Sequence, residues 1–463
     1  MPLILPGNVG SATAATGYNI ANSCRFNDGD SARFTRAFSA GDRALWTFSC
    51  WLKRSTLGTT QSIFACYNTS SYIDRMQFTS DDQLKFNSLH DNNINGNIIS
   101  TAKFRDTAAW YHIVFHWDSS DGTSEDKLRM YVNNERITTF STEGDYPSTT
   151  TQINDNGLTH EIGAENNGSF FDGYMAEVFF IGAQNYAPTV FGEYNEDSPT
   201  IWQPKDCKDD LDFSSANSFY LDFADSGDLD DDESGQGNDW TAVNLAAADQ
   251  ATDSPTNNFC TMNPLVGSTS HTFSEGNCKI VSSGSDTKGG GVGTFGLTAG
   301  KWYWEVKLGS LIANHTHGAI SELTTELYAA GGATSLNMDT GATTWRNDDG
   351  GEVVIDGTVT TADYGIMAED SIMGIALDMD NHNISYYEDG SALVTDLNIS
   401  TTRGVIFPIM ASGINCTSEV NFGGCSAFTI SSAANDANGY GVFEYAPPSG
   451  FLALCTKNLG EEG

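Results

Sequence analysis

The sequence predicts an all-β protein: two β-sandwich, jelly-roll-like domains joined by a structured acidic linker. Three observations carry that expectation. Almost every periodic segment alternates apolar and polar residues with a period of two. The alternating segments are separated by short runs of Gly, Ser, Asn and Asp, the residues that turn a chain between strands. The pattern fades into a carboxylate-rich stretch near residue 200 and resumes near residue 272, so two bodies are expected. A chain of 463 residues with 39% hydrophobic side chains is long enough to bury two cores.

In WTFSCWLKR, Trp46, Phe48, Cys50 and Leu52 share one face, while Thr47, Ser49 and Lys53 take the other. In WYHIVFHWD, Tyr111, Ile113, Phe115 and Trp117 form an apolar face; His112 and His116 are expected at polar positions on the outer one. LRMYVNNERIT alternates through Leu128, Met130 and Val132, then turns at Asn133-Asn134, where asparagine tolerates the positive φ of a tight hairpin. YMAEVFFIG places Tyr174, Ala176, Val178 and Phe180 together. A short helix is expected after Pro188, a residue suited to a first helical position. From Ser198 to Leu265 acidic residues crowd the chain; FYLDF and NDWTAVNL are its strand-like pieces, and the segment reads as a structured linker. Alternation returns in GKWYWEVKL, and SIMGIALDMDNHNISYYEDG reads as a hairpin turning at Asp380 to Asn383. The triglycine Gly289-Gly290-Gly291 lacks a following lysine and helix, which makes it a turn rather than a phosphate loop.

Lysine and arginine number 22 against 60 aspartates and glutamates, a net charge of −38. That field repels nucleic acid and anionic lipid and favours solubility. The N-terminal MPLILPGNVGSATAATG has no basic leader and two prolines, and no segment approaches the ~20 apolar residues of a membrane span. A soluble protein made in a cytosol is expected, with neither membrane insertion nor nucleic-acid partner. Nine scattered cysteines without a Cys-x-x-Cys pair are expected to be buried thiols.

Glycoside hydrolysis needs two carboxyls about 5–9.5 Å apart. Glu161 and Glu165 would stand about 13 Å apart on an extended strand, and no Glu-x-Asp-x-Glu run occurs. No catalytic residues and no cofactor are therefore assigned, and the expected class is non-enzymatic. His112 and His116 are too far apart on a strand to share a metal ion, and His315 with His317 reads better as a solvated loop. Asp228, Asp230 and Asp232 alternate ahead of Glu233-Ser234-Gly235 and make a candidate structural calcium site, although the loop lacks the EF-hand glycine and closing glutamate. The competing reading is a solvated acidic turn. What remains is binding through sandwich loops. The candidates pair an aromatic with polar groups: Tyr72 with Asp74 and Arg75; Tyr146; Phe170 with Asn166 and Asn167; and Trp345 with Asn347 and Asp348. For each, the competing reading is a half-buried aromatic shielding the edge of the core.

Residues 23–202 resemble a concanavalin A-like, laminin-G-like jelly roll, on WTFSCWLKR, WYHIVFHWD, LRMYVNNERI and FFDGYMAEVFFI. Residues 272–424 resemble a SPRY domain, on WYWEV, LDMDNHNISYYEDG and the turn from Trp345 to Gly350; Ala313 to Ala342 departs from that pattern as an insertion. Residues 1–22, apolar and then rich in Gly, Ala, Ser and Thr, suit an arm that docks on a partner; 203–271 are the acidic linker by their charge, and 425–463 are expected to pack on the second domain. The pairing of the two domains, with MPLILPGNV, DSPTNNFCTMNPL and PPSGFLALCTKNL, resembles virion structural proteins of tailed phages, marine ones in particular. That resemblance implies a lectin-like fibre or receptor-binding component for host attachment, located in the virion. It implies contacts with other virion proteins and with host surface glycan or protein, and a homo-oligomer, a trimer first. A capsid decoration, head fibre or tail adaptor is the alternative, and a glycan-cleaving enzyme the second.

Overall fold

The computed structural model describes residues 17–463 except 91–92, 145, 147–149, 197, 268–270, 283–288, 310–314, 321–341, 348–349, 361, 400–403 and 413–415. The expected docking arm lies mostly outside these residues. The chain divides into two compact units, one containing residues 16–256 and the other residues 257–463. Both are built from antiparallel sheets, as the period-two pattern predicts.

In the first unit, one sheet runs in the order Glu135–Arg136, Leu128–Val132, Trp110–Asp118, Leu45–Arg54, Gly173–Gly182, Ser23–Phe26, Gln250–Ala251. The facing sheet runs Phe140–Glu143, Asn93–Lys103, Gln83–His90, Tyr72–Phe78, Gln61–Thr69, Thr159–Ile162, Arg33–Ala37, Thr241–Val243. Between them lies an aromatic core including Trp46, Phe48, Phe64, Phe86, Phe115 and Phe180. The hairpin at Asn133 (φ 49°) and Asn134 (φ 68°) and the short helix Pro188–Phe191 fall where the sequence places them.

The acidic segment is not a linker through residue 256. Phe219–Leu221 pairs with Gly173–Gly182, Thr241–Val243 with Arg33–Ala37, and Gln250–Ala251 with Ser23–Phe26, so the stretch extends both sheets of the first unit. Trp240 is buried with its ring edge-on to Phe219 at 4.9 Å. Most of its carboxylates stay at the surface, Asp232 and Asp253 being buried, while the sparse apolar residues between them reach the core, which explains why charge density alone misassigned the segment.

The outer face of the first sheet is covered as well. Val114, Phe179 and Ile181 pack under Phe191, Cys207, Leu211 and Phe213 as a second apolar layer. His112 and His116 are therefore buried, not solvated: Trp202 Nε1 donates to His112 Nδ1 at 3.0 Å, and burial pushes the His112 pKa down to about 3. Under the same cover, the strand Gly173–Gly182 bulges between Ala176 and Phe179, where Glu177 adopts φ 51°. The Glu177 carboxylate accepts from Tyr220 Oη at 2.7 Å and Tyr18 Oη at 3.2 Å. Burial first, then the charges of Asp222 and Asp206, raise its pKa to about 7.

In the second unit, one sheet runs Met262–Gly267, Gly289–Gly293, Phe407–Ser412, His315–Ile320, Ala342–Arg346, Glu352–Ile355, Thr358–Val359. The other runs His271–Ser274, Lys279–Ser282, Thr417–Asn421, Lys301–Leu308, Ile372–Asp378, Asn383–Glu388, Ser391–Asn398. The triglycine is thus in a strand rather than a turn, and His315 with His317 occupies a strand rather than a loop, His317 being buried. Residues 425–463 lie on the outer face of the second sheet. Leu452–Ala453 pairs parallel to Lys301–Leu308, and Phe443 packs edge-on to Tyr303 at 5.2 Å. Buried Glu305 clamps this segment by accepting the amides of Glu444 and Tyr445 at 2.9 and 2.8 Å. All nine cysteines are free and buried.

Trp240→Ala is expected to destabilise the first unit by about 3–5 kcal/mol in urea unfolding, the cost of emptying a large core site; a linker residue would change it by less than about 0.5 kcal/mol. Glu177 has a folded-state pKa above its unfolded value of 4.5. Its contribution is therefore full below about pH 4.5 and lost as pH rises through about 7, on the order of 2–3 kcal/mol. Glu177→Gln should narrow the difference in unfolding free energy between pH 5 and pH 8 by that order, and an unchanged difference would refute the assignment.

Candidate functional site

The structure brings one group of expected binding residues together and disperses the others. Along Tyr72–Phe78, side chains alternate, so Asp74 and Arg75 face opposite ways and do not form one loop site. Asp74 points into the core, fully buried, where its Oδ2 accepts the amides of Gln152 and Ile153; burial raises its pKa to about 6 despite those bonds. Tyr72 sits at the start of the strand, edge-on to His90 at 5.0 Å. Tyr146 is half-buried and donates to Glu143 Oε1 at 2.8 Å. Trp345 is a core residue of the strand Ala342–Arg346, fully buried against Tyr386, and cannot present a face to a ligand. Asn347 is buried too, and its Oδ1 accepts the Met367 amide at 2.8 Å; Asp348 lies outside the described residues.

The calcium candidates serve turns instead. Asp232 is buried and accepts the amides of Tyr220, Ser234 and Asn238 at 3.0, 2.9 and 2.8 Å, and the Ser234 hydroxyl at 2.7 Å. Asp230 Oδ2 accepts the Ala242 amide at 2.8 Å. Asp228 is exposed, at a turn. With Asp232's oxygens committed to backbone donors, the trio forms no cage, and no cluster of three metal-ligating side chains occurs among the described residues.

Arg75, Asn166, Asn167 and Phe170 do converge, on the outward face of the sheet that carries Arg33–Ala37, Thr159–Ile162, Gln61–Thr69, Tyr72–Phe78 and Gln83–His90. The strand register puts Thr35, Glu161, Ala65, Arg75 and Asn87 in one row across that face. After Ile162 the chain leaves the strand and turns tightly through Asn166 (φ 49°) and Asn167 (φ 57°), so Glu165 swings back over the sheet. Arg75 grips Glu165 with both carboxylate oxygens at 2.7 and 2.9 Å, and Gln77 Nε2 donates to Glu165 Oε2 at 2.6 Å. Arg75 Nε also donates to Asn87 Oδ1 at 3.0 Å. Arg33 Nε stands 3.4 Å from Glu161 Oε1; its Nη2 donates to Asn167 Oδ1, and its guanidinium lies 5.9 Å from the half-buried Phe170 ring.

These groups lock one another in place. Arg75, Glu165, Gln77 and Asn87 each make more than one hydrogen bond, so little side-chain entropy is left to lose on binding. The Glu161 side chain is 7% exposed, and its Oε2 has no hydrogen-bond donor among the described residues. Burial raises the Glu161 pKa, opposed by Arg33 and the turn amides. Nearby Lys85 has its pKa lowered by burial first and by Arg75 second. Sequence reading found only part of this patch. Glu161, Glu165, Gln77, Arg33 and Asn87 come from four strands and a turn, and their signal was merely that each occupies an outward position.

Residues 27–182 match the laminin G model of the concanavalin A-like lectin/glucanases superfamily, and residues 301–425 match the SPRY domain. The chain therefore carries a concanavalin A-like, laminin-G-type domain and a SPRY domain, the composition of a binding, lectin-like protein. Among curated proteins none matches the chain. Similar solved structures include the SPRY domain of human HERC1 (15% identity, 36% of this chain and 99% of that one, TM-score 0.29). The PSpry domain of TRIM65 is another (11%, 35% and 88%, TM-score 0.30). A native heptameric SAP-like pentraxin from Limulus polyphemus is similar as well (18%, 35% and 77%, TM-score 0.27). No helix among the described residues is long and apolar enough to cross a membrane.

Asp74→Ala leaves two buried amides without their acceptor and is expected to cost about 2–5 kcal/mol in urea unfolding. Asn166→Gly, at an exposed turn position whose positive φ glycine adopts freely, should cost no more than about 1 kcal/mol. Equal costs would contradict the division between core support and surface.

Proposed function

We propose that this chain is a non-enzymatic virion protein of a tailed phage. In this reading it is a fibre or receptor-binding component that engages host surface glycan or protein. The observation that carries the binding part is the Arg33–Glu161–Arg75–Glu165–Gln77 patch, a rigid array of planar polar groups with Phe170 at its margin. Sugars offer many hydroxyls and apolar C–H faces, and such an array supplies donors, acceptors and a ring without rearrangement. A non-catalytic role agrees with how the carboxylates are used: Glu165 pairs with Arg75 Nη1 through both oxygens, and Asp378 caps the hairpin turn through Asp380 N and Asn381 N while pairing with Lys301. The phage setting is supported by the sequence resemblances of the termini and the connector. Attachment in the virion is the corresponding location, and a homotrimer the corresponding assembly.

The test uses purified full-length protein on host cells, on a panel of host surface glycans and on phage particles lacking this protein. Binding to cells or a glycan is expected. The double substitution Arg75→Ala/Glu165→Ala, which removes a charge pair together, should weaken that binding by at least about tenfold, the effect of one hot-spot contact. Binding to particles with none to cells or glycans would replace this reading with a decoration or adaptor role. Release of cleaved glycan would replace it with an enzyme.

A further inference from the structure

Lys53 and Asp253 are two hundred residues apart in sequence, yet Lys53 Nζ lies 2.8 Å from Asp253 Oδ2 with both side chains 1% exposed. Lys53 stands on the outward face of Leu45–Arg54, and its register neighbours on either side are Tyr174 and Trp110. Both rings are buried, and the ammonium lies 5.8 Å from the Tyr174 ring centroid. Trp110 Nε1 donates to the other carboxylate oxygen, Asp253 Oδ1, at 3.0 Å. Ser23 Oγ fixes the Asp253 backbone by donating to its carbonyl at 2.6 Å. An ion pair this dry repays its desolvation poorly. Once one proton passes from nitrogen to oxygen, the pair is an amine and a carboxylic acid, a nucleophile and an electrophile held in contact.

We propose that Lys53 and Asp253 condense to an intramolecular amide, a covalent crosslink within the first domain. Nζ forms a bond to Asp253 Cγ, and the Cγ–Oδ2 bond breaks. Oδ2 leaves as water, carrying two protons from the original ammonium. Oδ1 remains as the amide carbonyl, and the Trp110 N–H stabilises the charge that builds on it in the tetrahedral intermediate. No oxidant, metal or co-reactant is consumed. Exclusion of bulk water protects the product from hydrolysis, and the clamped geometry supplies the high effective concentration that condensation needs. The crosslink would tie Leu45–Arg54 to the segment after Gln250–Ala251, closing most of the domain into a loop and restricting its unfolded state. This inference does not depend on the proposed binding role.

Intact-mass measurement of the denatured full-length protein reads the answer directly. The expected mass is below the sequence mass by one water, with a branched proteolytic fragment joining the peptides of Lys53 and Asp253. Lys53→Met and Asp253→Ala should each restore the full mass and slow the chain on a denaturing gel, where a looped chain runs faster than a linear one. The full sequence mass in the unsubstituted protein would overturn the proposal. So would a lost water without the branched fragment, because cyclisation at an Asp-Gly step produces the same mass change. Because the unsubstituted protein decides the matter, a variant that fails to fold leaves the test intact.

Discussion

The structure depends on covering both faces of the central strands. In each domain the most central strands are buried along most of both faces, as in Leu45–Arg54, Gly173–Gly182 and Lys301–Leu308. One face builds the inter-sheet core, and the other mixes aromatic side chains such as Trp51, Phe179 and Tyr303 with buried polar ones such as Ser49, Lys53 and Glu305, all covered by further chain. Each domain supplies this cover with chain from beyond its alternating strand pattern. Residues 186–213 roof the first sheet, and residues 434–459 roof the second.

The roofs bury polar groups that would otherwise be solvated, and every such group acquires a partner or a shifted charge state. Glu305 gathers two backbone amides and the Asn421 amide, so it anchors the very segment that buries it. His112 stays neutral between Ser49 and Trp202. Glu177 sits at a bulge with two tyrosine hydroxyls turned toward it. These arrangements are costly unless complete, which is why they specify one position for each covering segment.

The opposite sheet of the first domain is different. Its outward row is polar from Arg33 through Glu161 and Arg75 to Asn87, and these side chains satisfy one another across strands instead of being roofed by an apolar layer. Within it Gln77, Asn87 and Glu161 are buried while Arg33, Arg75, Glu165 and Phe170 stay partly exposed, so the accessible groups are ordered by buried ones beneath them. The acidic segment 203–256 serves the same division. Its apolar residues complete the core, while its carboxylates cap turns, as Asp232 does, pair with buried cations, as Asp253 does with Lys53, or remain in solvent.

The sequence by itself determined the all-β class, the two bodies, the resemblance to laminin G and SPRY domains, the Asn133-Asn134 turn, the short helix at Pro188 and the buried thiols. Each of these is a local matter: period, turn chemistry or a contiguous motif. Only the tertiary structure decided that His112, His116, Asp74 and Trp345 are interior, that Asp230 and Asp232 hold turns rather than an ion, and that Arg75 belongs with Glu165 instead of Asp74. Alternation reveals which residues share a face, yet it is silent on what covers that face, because the cover arrives from chain far away in sequence. The same limit applied to the carboxylate run, whose few apolar residues found their places only when strands two hundred residues earlier were there to receive them.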